Sequence, residues 1–335
     1  MKRRDFLALA ACLPWLASRA AEPAEPGLHV FGALPPAGRV ARVFAAGAPA
    51  AVLVHAVAPD KLMGWPWALP APALAMLRPQ SRALPVLGRL AGRGSTMPLE
   101  RLVALAPDLI VDAGTVDATY LSGAERVHRQ TGIPYVLIDG RLADSARQLR
   151  QAGGLLGADA RAETLARYAV AALAACERSD DEARPRVYLA RGADGLETPL
   201  PGSINGECID AACATNAAQG AGALARVSLE RLLVWAPDAI VSQYPEFVAL
   251  ARRDSLWQSL AAVREGRLFL APERPFGWLD GPPSVNRLIG VRWLRRILGG
   301  ASPAQDWIEE AEEFHRLFYG HVPTRAQLVR SLEPA

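Results

Sequence analysis

Along the chain, short apolar runs of strand length alternate with segments whose apolar residues recur at helical spacing. That alternation builds parallel sheets covered by helices. Residues 110–111 and 135–138 read as buried parallel strands, and a helix over 120–131 fills the gap, stopped by Gly132 and Pro134. Residues 28–31 are a further candidate strand, and 52–57 lie in an Ala-rich helix closed by Pro59 and Asp60. Residues 84–87 lead into a Gly-rich loop over 88–95. The Pro-free stretch that follows from Ala143 predicts one helix to Leu156 and a longer one from Ala160 to about Glu177. The second half repeats the plan. It has a strand at 187–190, a helix opening near Gly206, a helix around 246–251 and a strand at 268–271. A helix over 285–298 follows with Ser284 as its N-cap, then an amphipathic helix over 306–319 whose Glu309, Glu310, Glu312 and Glu313 face solvent.

Within this pattern one stretch occurs twice. Residues 99–111, LERLVALAPDLIV, return 130 positions later as LERLLVWAPDAIV at 229–241, with nine of thirteen residues identical. Each copy reads as a short helix, a turn forced by proline and a buried strand. A unit repeated at this distance marks two lobes of one design. The predicted fold is therefore α/β, with two Rossmann-like lobes, each around a central parallel sheet, and one long helix joining them. The boundaries are a leader at 1–21, an N-terminal lobe at 22–157, a connecting helix at 158–180 and a C-terminal lobe at 181–335.

The leader carries Lys2-Arg3-Arg4-Asp5-Phe6-Leu7, a short apolar run to Leu16 and the small residues Ser18 and Ala20. It resembles a twin-arginine signal peptide and predicts export to the periplasm. Leu9-Ala10-Ala11-Cys12 offers the alternative of a lipid anchor at Cys12. No run of about twenty apolar residues follows. Removal of the leader takes four basic residues against one acid, which balances the formal charge of +3. A neutral surface gives no electrostatic footprint for nucleic acid. With 335 residues, 51% of them hydrophobic, the chain has material for two cores.

Candidate chemistry is sparse. Cys208 and Cys213 lack a histidine at ligand spacing and read as buried small residues, with a disulfide as the alternative. Histidines 29, 55, 128, 315 and 321 form no local cluster. The sequence contains no nucleophile elbow, phosphate loop or zinc-protease motif, so no enzyme, metal site or cofactor is expected. The unusual residues lie just beyond predicted strand ends, where open α/β sheets hold ligands. They are Trp65, Trp67, Arg93, Thr115, Arg191, Ser203, Asn205, Glu207, Tyr244, Trp278 and Asp280. The guanidinium fork suits carboxylates, catecholates and other oxyanions, and tryptophan suits flat or apolar groups. Arg191 has an alternative partner in Asp194 or Glu197, and the alternative role for Trp65 or Trp67 is to cap the core.

The leader, the paired LERL-x3-APD-x-IV modules, the long joining helix and the stretches YLARGADGLETPLPGS and FGWLDGPPSVNRLIGVRWL together carry a family resemblance. The chain resembles the substrate-binding proteins of ABC importers for iron complexes and cobalamin, the class III periplasmic binding proteins. The resemblance implies a monomer that holds a metal chelate between its lobes and passes it to a membrane permease driven by an ATPase. It also implies that Glu100 and Glu230 pair with arginines of that permease. By family frequency the expected cargo is a ferric siderophore or similar iron complex. Cobalamin, haem, a nickel or cobalt chelate and molybdate are the alternatives. The candidate loops lack a tyrosine and histidine cluster for naked iron, which favours a whole chelate. Two such lobes also build enzymes, in which Glu207, Asp280 or a cysteine would serve as acid, base or ligand.

Overall fold

The structure, a computed structural model, describes residues 25–92, 94–175, 184–300 and 307–332. The leader, Cys12, Arg93 and Cys176 lie outside the described residues. Lobe one opens with β1 (Leu28–Phe31), β2 (Val43–Ala45) and α1 (Ala48–Val57). The short helices α2 (Ala71–Leu74) and α3 (Pro79–Arg82) follow, then α4 (Leu99–Leu105), β3 (Leu109–Gly114), α5 (Ala118–Thr131) and β4 (Tyr135–Asp139). The sheet order is β1-β4-β3-β2, with β1 antiparallel to β4 and the other pairs parallel. Helices α6 (Ser145–Leu156) and α7 (Asp159–Ala174) pack against each other, and α7 buries Ala162, Leu165, Ala166, Ala169 and Ala172.

Lobe two contains β5 (Arg186–Ala190), β6 (Glu197–Pro199), α8 (Glu207–Ala211), β7 (Thr215–Asn216) and β8 (Leu224–Arg226). It continues through α9 (Leu229–Trp235), β9 (Ala239–Ser242), α10 (Pro245–Ala251), α11 (Ala261–Arg264) and β10 (Leu268–Leu270). Its sheet, ordered β10-β9-β5-β7, is parallel throughout, and β6 pairs antiparallel with β8. The chain ends with α12 (Arg287–Leu298), α13 (Ile308–Phe314), a π-helical turn at His315–Tyr319 and α14 (Arg325–Leu332).

The duplicated module explains how each lobe is closed. After α4 and α9 the chain turns through left-handed Ala106 (φ 44°) and Ala236 (φ 43°), and the Pro-Asp pair follows. Asp108 Oδ2 accepts from the backbone N–H groups of Ala41 and Arg42, each at 2.8 Å. Asp238 Oδ2 accepts from Arg186 N at 2.7 Å. In both copies the aspartate therefore ties the module to the start of the neighbouring strand, and these bonds satisfy donors that an edge would leave open.

One hydrophobic cluster crosses the molecule. It contains Val43, Val111 and Ile138 of the first sheet and Val187, Leu189 and Val241 of the second, with α1, α6, α7 and α12 between them. The opposite sheet faces form separate cores, around Phe44, Leu102 and Tyr135 in lobe one and Tyr188, Trp235 and Phe247 in lobe two. Gly290 lets α12 press onto the backbone of Trp278, because a Cβ there would meet the Trp278 carbonyl oxygen at 1.8 Å. The chain end returns to lobe one: Arg161 Nη2 donates to Leu317 O at 2.9 Å, and the Tyr319 ring lies 6.2 Å from His55. No helix of the described residues is long and apolar enough to cross a membrane.

Two local expectations are corrected. Ser284 does not cap α12, which begins two residues later behind Asn286. Its hydroxyl instead donates to Pro49 O of lobe one at 2.9 Å. In α13, Glu309 and Glu313 are exposed, but Glu310 turns inward and pairs with Arg292 at 2.8 Å. Cys208 is buried as expected, while Cys213 is half-buried past the end of α8 in a left-handed conformation (φ 58°), and no disulfide joins the two.

Candidate functional site

The carboxyl ends of β3 and β4 face the loops of lobe two across a cleft of about 300 Å³. Thr115, Asp139 and Arg141 line it from lobe one, and Ser203, Ile204 and Glu207 from lobe two. Ser203 donates its hydroxyl to Leu200 O at 2.7 Å, which fixes the oxygen. Asp117, at the N-terminus of α5, is spent on capping: its Oδ1 accepts from Thr119 N and Tyr120 N at 2.8 and 3.0 Å.

A polar clamp forms the cleft floor. The buried guanidinium of Arg287 donates to Gly140 O of lobe one, and to Ile204 O and Glu207 Oε2 of lobe two, the last two at 2.9 Å. Glu207 Oε2 also accepts from Leu142 N at 2.8 Å, so two side chains of opposite charge staple three segments. Arg287 is buried, so removal of Glu207 would leave its charge without a counter-charge in the interior, a loss of about 3–5 kcal/mol. Arg141 is different. Its guanidinium is largely exposed, lies 3.5 Å from Glu207 Oε1 and lines the cleft.

A second network stiffens lobe two beneath these loops. Asp280, fully buried, accepts from Arg191, from Asn205 Nδ2 at 3.1 Å and from Gln243 Nε2 at 2.9 Å. Arg191 also meets Glu197 at 3.0 Å, one of the two alternative partners its sequence neighbourhood offered. Its charge is thus answered twice within the protein. Gln243 Oε1 accepts from Leu279 N at 2.7 Å, which orders the loop that carries Asp280.

The sequence-predicted residues therefore separate. Thr115, Ser203 and Glu207 meet at the cleft, while Arg191, Asn205 and Asp280 form the supporting network. Trp65 and Trp278 are each 1% exposed and belong to the core. Trp65 donates its indole N–H to Ser81 O and packs on His55, Trp67 and Phe276; Trp278 packs on Trp307. Neither ring is available to a ligand, because each fills the volume beside the inter-lobe helices. Trp67 is half-buried at the edge of that aromatic group, and Tyr244 is half-buried against the outer core of lobe two. Arg93 is outside the described residues. Glu100 and Glu230 are exposed in the first turns of α4 and α9, and among the described residues no ion pair involves either.

Sequence reasoning missed Asp139, Arg141, Gln243 and Arg287. Asp139 and Arg141 directly follow a strand, the rule that selected Thr115, so they were within its reach. Arg287 carried no local signal, being one arginine in an arginine-rich helix. Two buried acids or thiols bear on chemistry. Burial pushes the Cys208 thiol up to about 12, and its Sγ donates to Leu279 O, so it is no nucleophile. Burial also raises the Asp112 carboxyl from 3.8 to about 6, against the lowering effect of hydrogen bonds from Tyr135 Oη and Ala113 N. Among the described residues no group of three or more His, Cys, Asp or Glu is arranged to hold a metal ion.

Comparisons with known proteins agree with this fold. The family profile described as periplasmic binding protein matches residues 40–275. An ABC transporter solute binding protein from Sulfurospirillum deleyianum superposes with a TM-score of 0.79 at 23% identity, over 89% of this chain and 95% of that one. The periplasmic vitamin B12 binding protein BtuF of Vibrio cholerae gives 0.60 at 19% identity, over 77% and 96%. The Molybdate-binding protein MolA of Haemophilus influenzae is 34% identical over 119 residues, 34% of this chain. That match spans about a third of the relative's length. Its structure with molybdate superposes at a TM-score of 0.68 and 20% identity, over 87% of this chain and 96% of that one. The match of a family profile across most of the chain settles membership: this protein belongs to the periplasmic binding protein family.

Proposed function

We propose that the protein is the substrate-binding component of an ABC importer, exported by its leader, and that it carries a compact anion from the inter-lobe cleft to a membrane permease. The observation that supports this is the cleft itself, about 300 Å³, lined by the largely exposed guanidinium of Arg141 and by Thr115 from lobe one and by Ser203 from lobe two. That volume lies at the lower end of the roughly 300–1,000 Å³ spanned by small-molecule sites, which favours a tetrahedral oxyanion over a cargo of haem or cobalamin bulk. The name of the partial relative, a molybdate-binding protein, points the same way. A small ferric chelate presenting carboxylate or catecholate oxygens offers the same anionic face to Arg141 and is the second reading. Wide opening to admit a larger ligand is opposed by the Arg287–Glu207 clamp, which ties the lobes at the cleft floor.

Isothermal titration of the purified mature protein tests the reading. Molybdate and tungstate should bind at micromolar affinity or tighter, and Arg141→Ala should weaken them by about tenfold or more, the value of a charge-assisted pair. Selective binding of ferric citrate or a catecholate siderophore would transfer the assignment to the chelate. Silence toward oxyanions, ferric chelates, cobalamin and haem alike would defeat both.

A further inference from the structure

Two buried histidines sit at the seam where the chain end returns to lobe one. His55 belongs to α1 and has no exposed surface; His315, the first residue of the π-helical turn, is 1% exposed. Tyr319 stands between them, its ring 6.2 Å from His55 and 5.0 Å from His315. The segment from Met76 to Ser81 runs along the same seam. His55 Nε2 and Ser81 Oγ are hydrogen-bonded at 2.9 Å, and His315 lies against the Met76 backbone. The chain end also grips the other side of the molecule, since Trp307 packs on Trp278 and Glu310 pairs with Arg292 of α12. Residues 307–332 therefore form a strap between α12 and lobe one.

The charges that face the seam are mostly positive. His55 meets the fields of Arg78 and Arg161, against one carboxylate, Asp60, whose side chain is 80% exposed and already paired with Arg78. His315 meets the field of His321, which is hydrogen-bonded to Arg82 at 3.3 Å. Among the described residues no acid pairs with either imidazole. A proton added to either ring enters a dry site with cations beside it, whereas a released ring would carry that proton into water. Burial first, and these cations second, hold both imidazoles down to about 3 from the ordinary 6.5, and the Met76 backbone bond that favours the proton on His315 is outweighed.

We propose that the chain end is an acid-released strap: protonation of His55 and His315 frees residues 315–332 from α1 and from the Met76–Ser81 segment while both sheets stay folded. The neutral rings favour the docked strap, a contribution that is complete above about pH 6.5 and is lost as pH falls toward 3. Near pH 4.5 each ring favours release by about a hundredfold, and the two together by about ten-thousandfold. Because the other end of the strap stays on α12, release loosens the join between the lobes and leaves the core of lobe two in place.

Hydrogen exchange of the mature full chain tests this, read by mass spectrometry as protection factors so that the intrinsic pH dependence of exchange cancels. Between pH 7 and pH 4.5, wild-type peptides over 315–332 should lose protection by about a hundredfold or more while β5 and β9 keep theirs. His55→Gln combined with His315→Leu removes both titrating groups and should leave the strap as protected at pH 4.5 as at pH 7. Each single variant carries the same test if the double variant does not fold: its acid loss should be smaller than that of wild type by about tenfold or more. Unchanged strap protection in wild type at pH 4.5, or an equal acid loss in the variants, overturns the proposal. Loss of β5 and β9 protection together with the strap overturns it as well, because acid would then unfold the whole chain.

Discussion

The two copies of the repeated module share the acid of the first helical turn and the Ala-Pro-Asp turn, and differ in the residues that flank the thirteen. At the start, Ser228 precedes α9 and its Oγ accepts from Arg231 N at 3.3 Å, whereas Pro98 precedes α4 and offers no side-chain cap. Ser228 also hydrogen-bonds Glu230 and holds that carboxyl below its ordinary value. At the finish, the residue directly after the shared apolar pair is Asp112 in lobe one and Ser242 in lobe two, both buried. Between these limits the acid, the left-handed alanine and the Pro-Asp turn are the same. The difference teaches which parts of a duplicated unit are free to drift: the start signal and the strand tip have changed, while the turn that joins helix to sheet has not.

Substitutions can break or sharpen that comparison. The largest effect is expected where the copies agree. Glu100→Ala with Glu230→Ala should reduce binding to the permease complex by about a hundredfold or more, the scale of two lost charge pairs, and leave cargo affinity intact. Normal uptake by the double variant would remove the docking role from the repeat.

Asp112 comes next, because its lobe-two counterpart carries no charge. Its folded value, raised to about 6 from 3.8, means that the folded state holds the proton more tightly than the unfolded chain. The contribution to stability is therefore full below pH 4 and is lost as pH rises through about 6. Two pH units correspond to about 3 kcal/mol. Asp112→Asn, which keeps an acceptor for Tyr135, should stabilise the protein by up to about that amount at pH 7 and by nothing below pH 4. Denaturant melts at both pH values measure it.

Smaller differences follow from the helix starts and stops. Ser228→Ala should cost about 1 kcal/mol through the lost cap. Its counterpart Pro98→Ala should change stability by less than about 0.5 kcal/mol. Glycine at Ala106 or Ala236 should stabilise by about 0.5 kcal/mol each, since relief of the left-handed strain exceeds the added chain entropy. Equal shifts in the two thermal melts would show that the stop signal has kept one energetic role in both lobes.

What the sequence revealed was local. Proline, glycine and apolar spacing placed the strands and most helices, and the thirteen-residue repeat announced two lobes, because each signal acts within a few residues. The site was less legible. Trp65 and Trp278 sit in loops of the kind that hold ligands, yet which side of a loop a ring takes depends on helices distant in sequence. Arg191 meets Asp280 across 89 positions and Arg287 meets Gly140 across 147, and no pattern within a window connects them. Ser284 was chosen as a cap by type, but its hydroxyl found a carbonyl of the other lobe. Arg141 lay within reach of the strand-end rule and was overlooked beside more conspicuous aromatics.

The cluster that runs from the first sheet through α1, α6, α7 and α12 to the second sheet has a thermodynamic consequence. Lobes with separate cores can each hold a free energy of folding of their own. Here the inner faces of both sheets lie against the same helices, so unfolding either lobe would strip apolar cover from the other. The two halves are therefore coupled into one cooperative unit, and two lobes of similar plan survive or melt together.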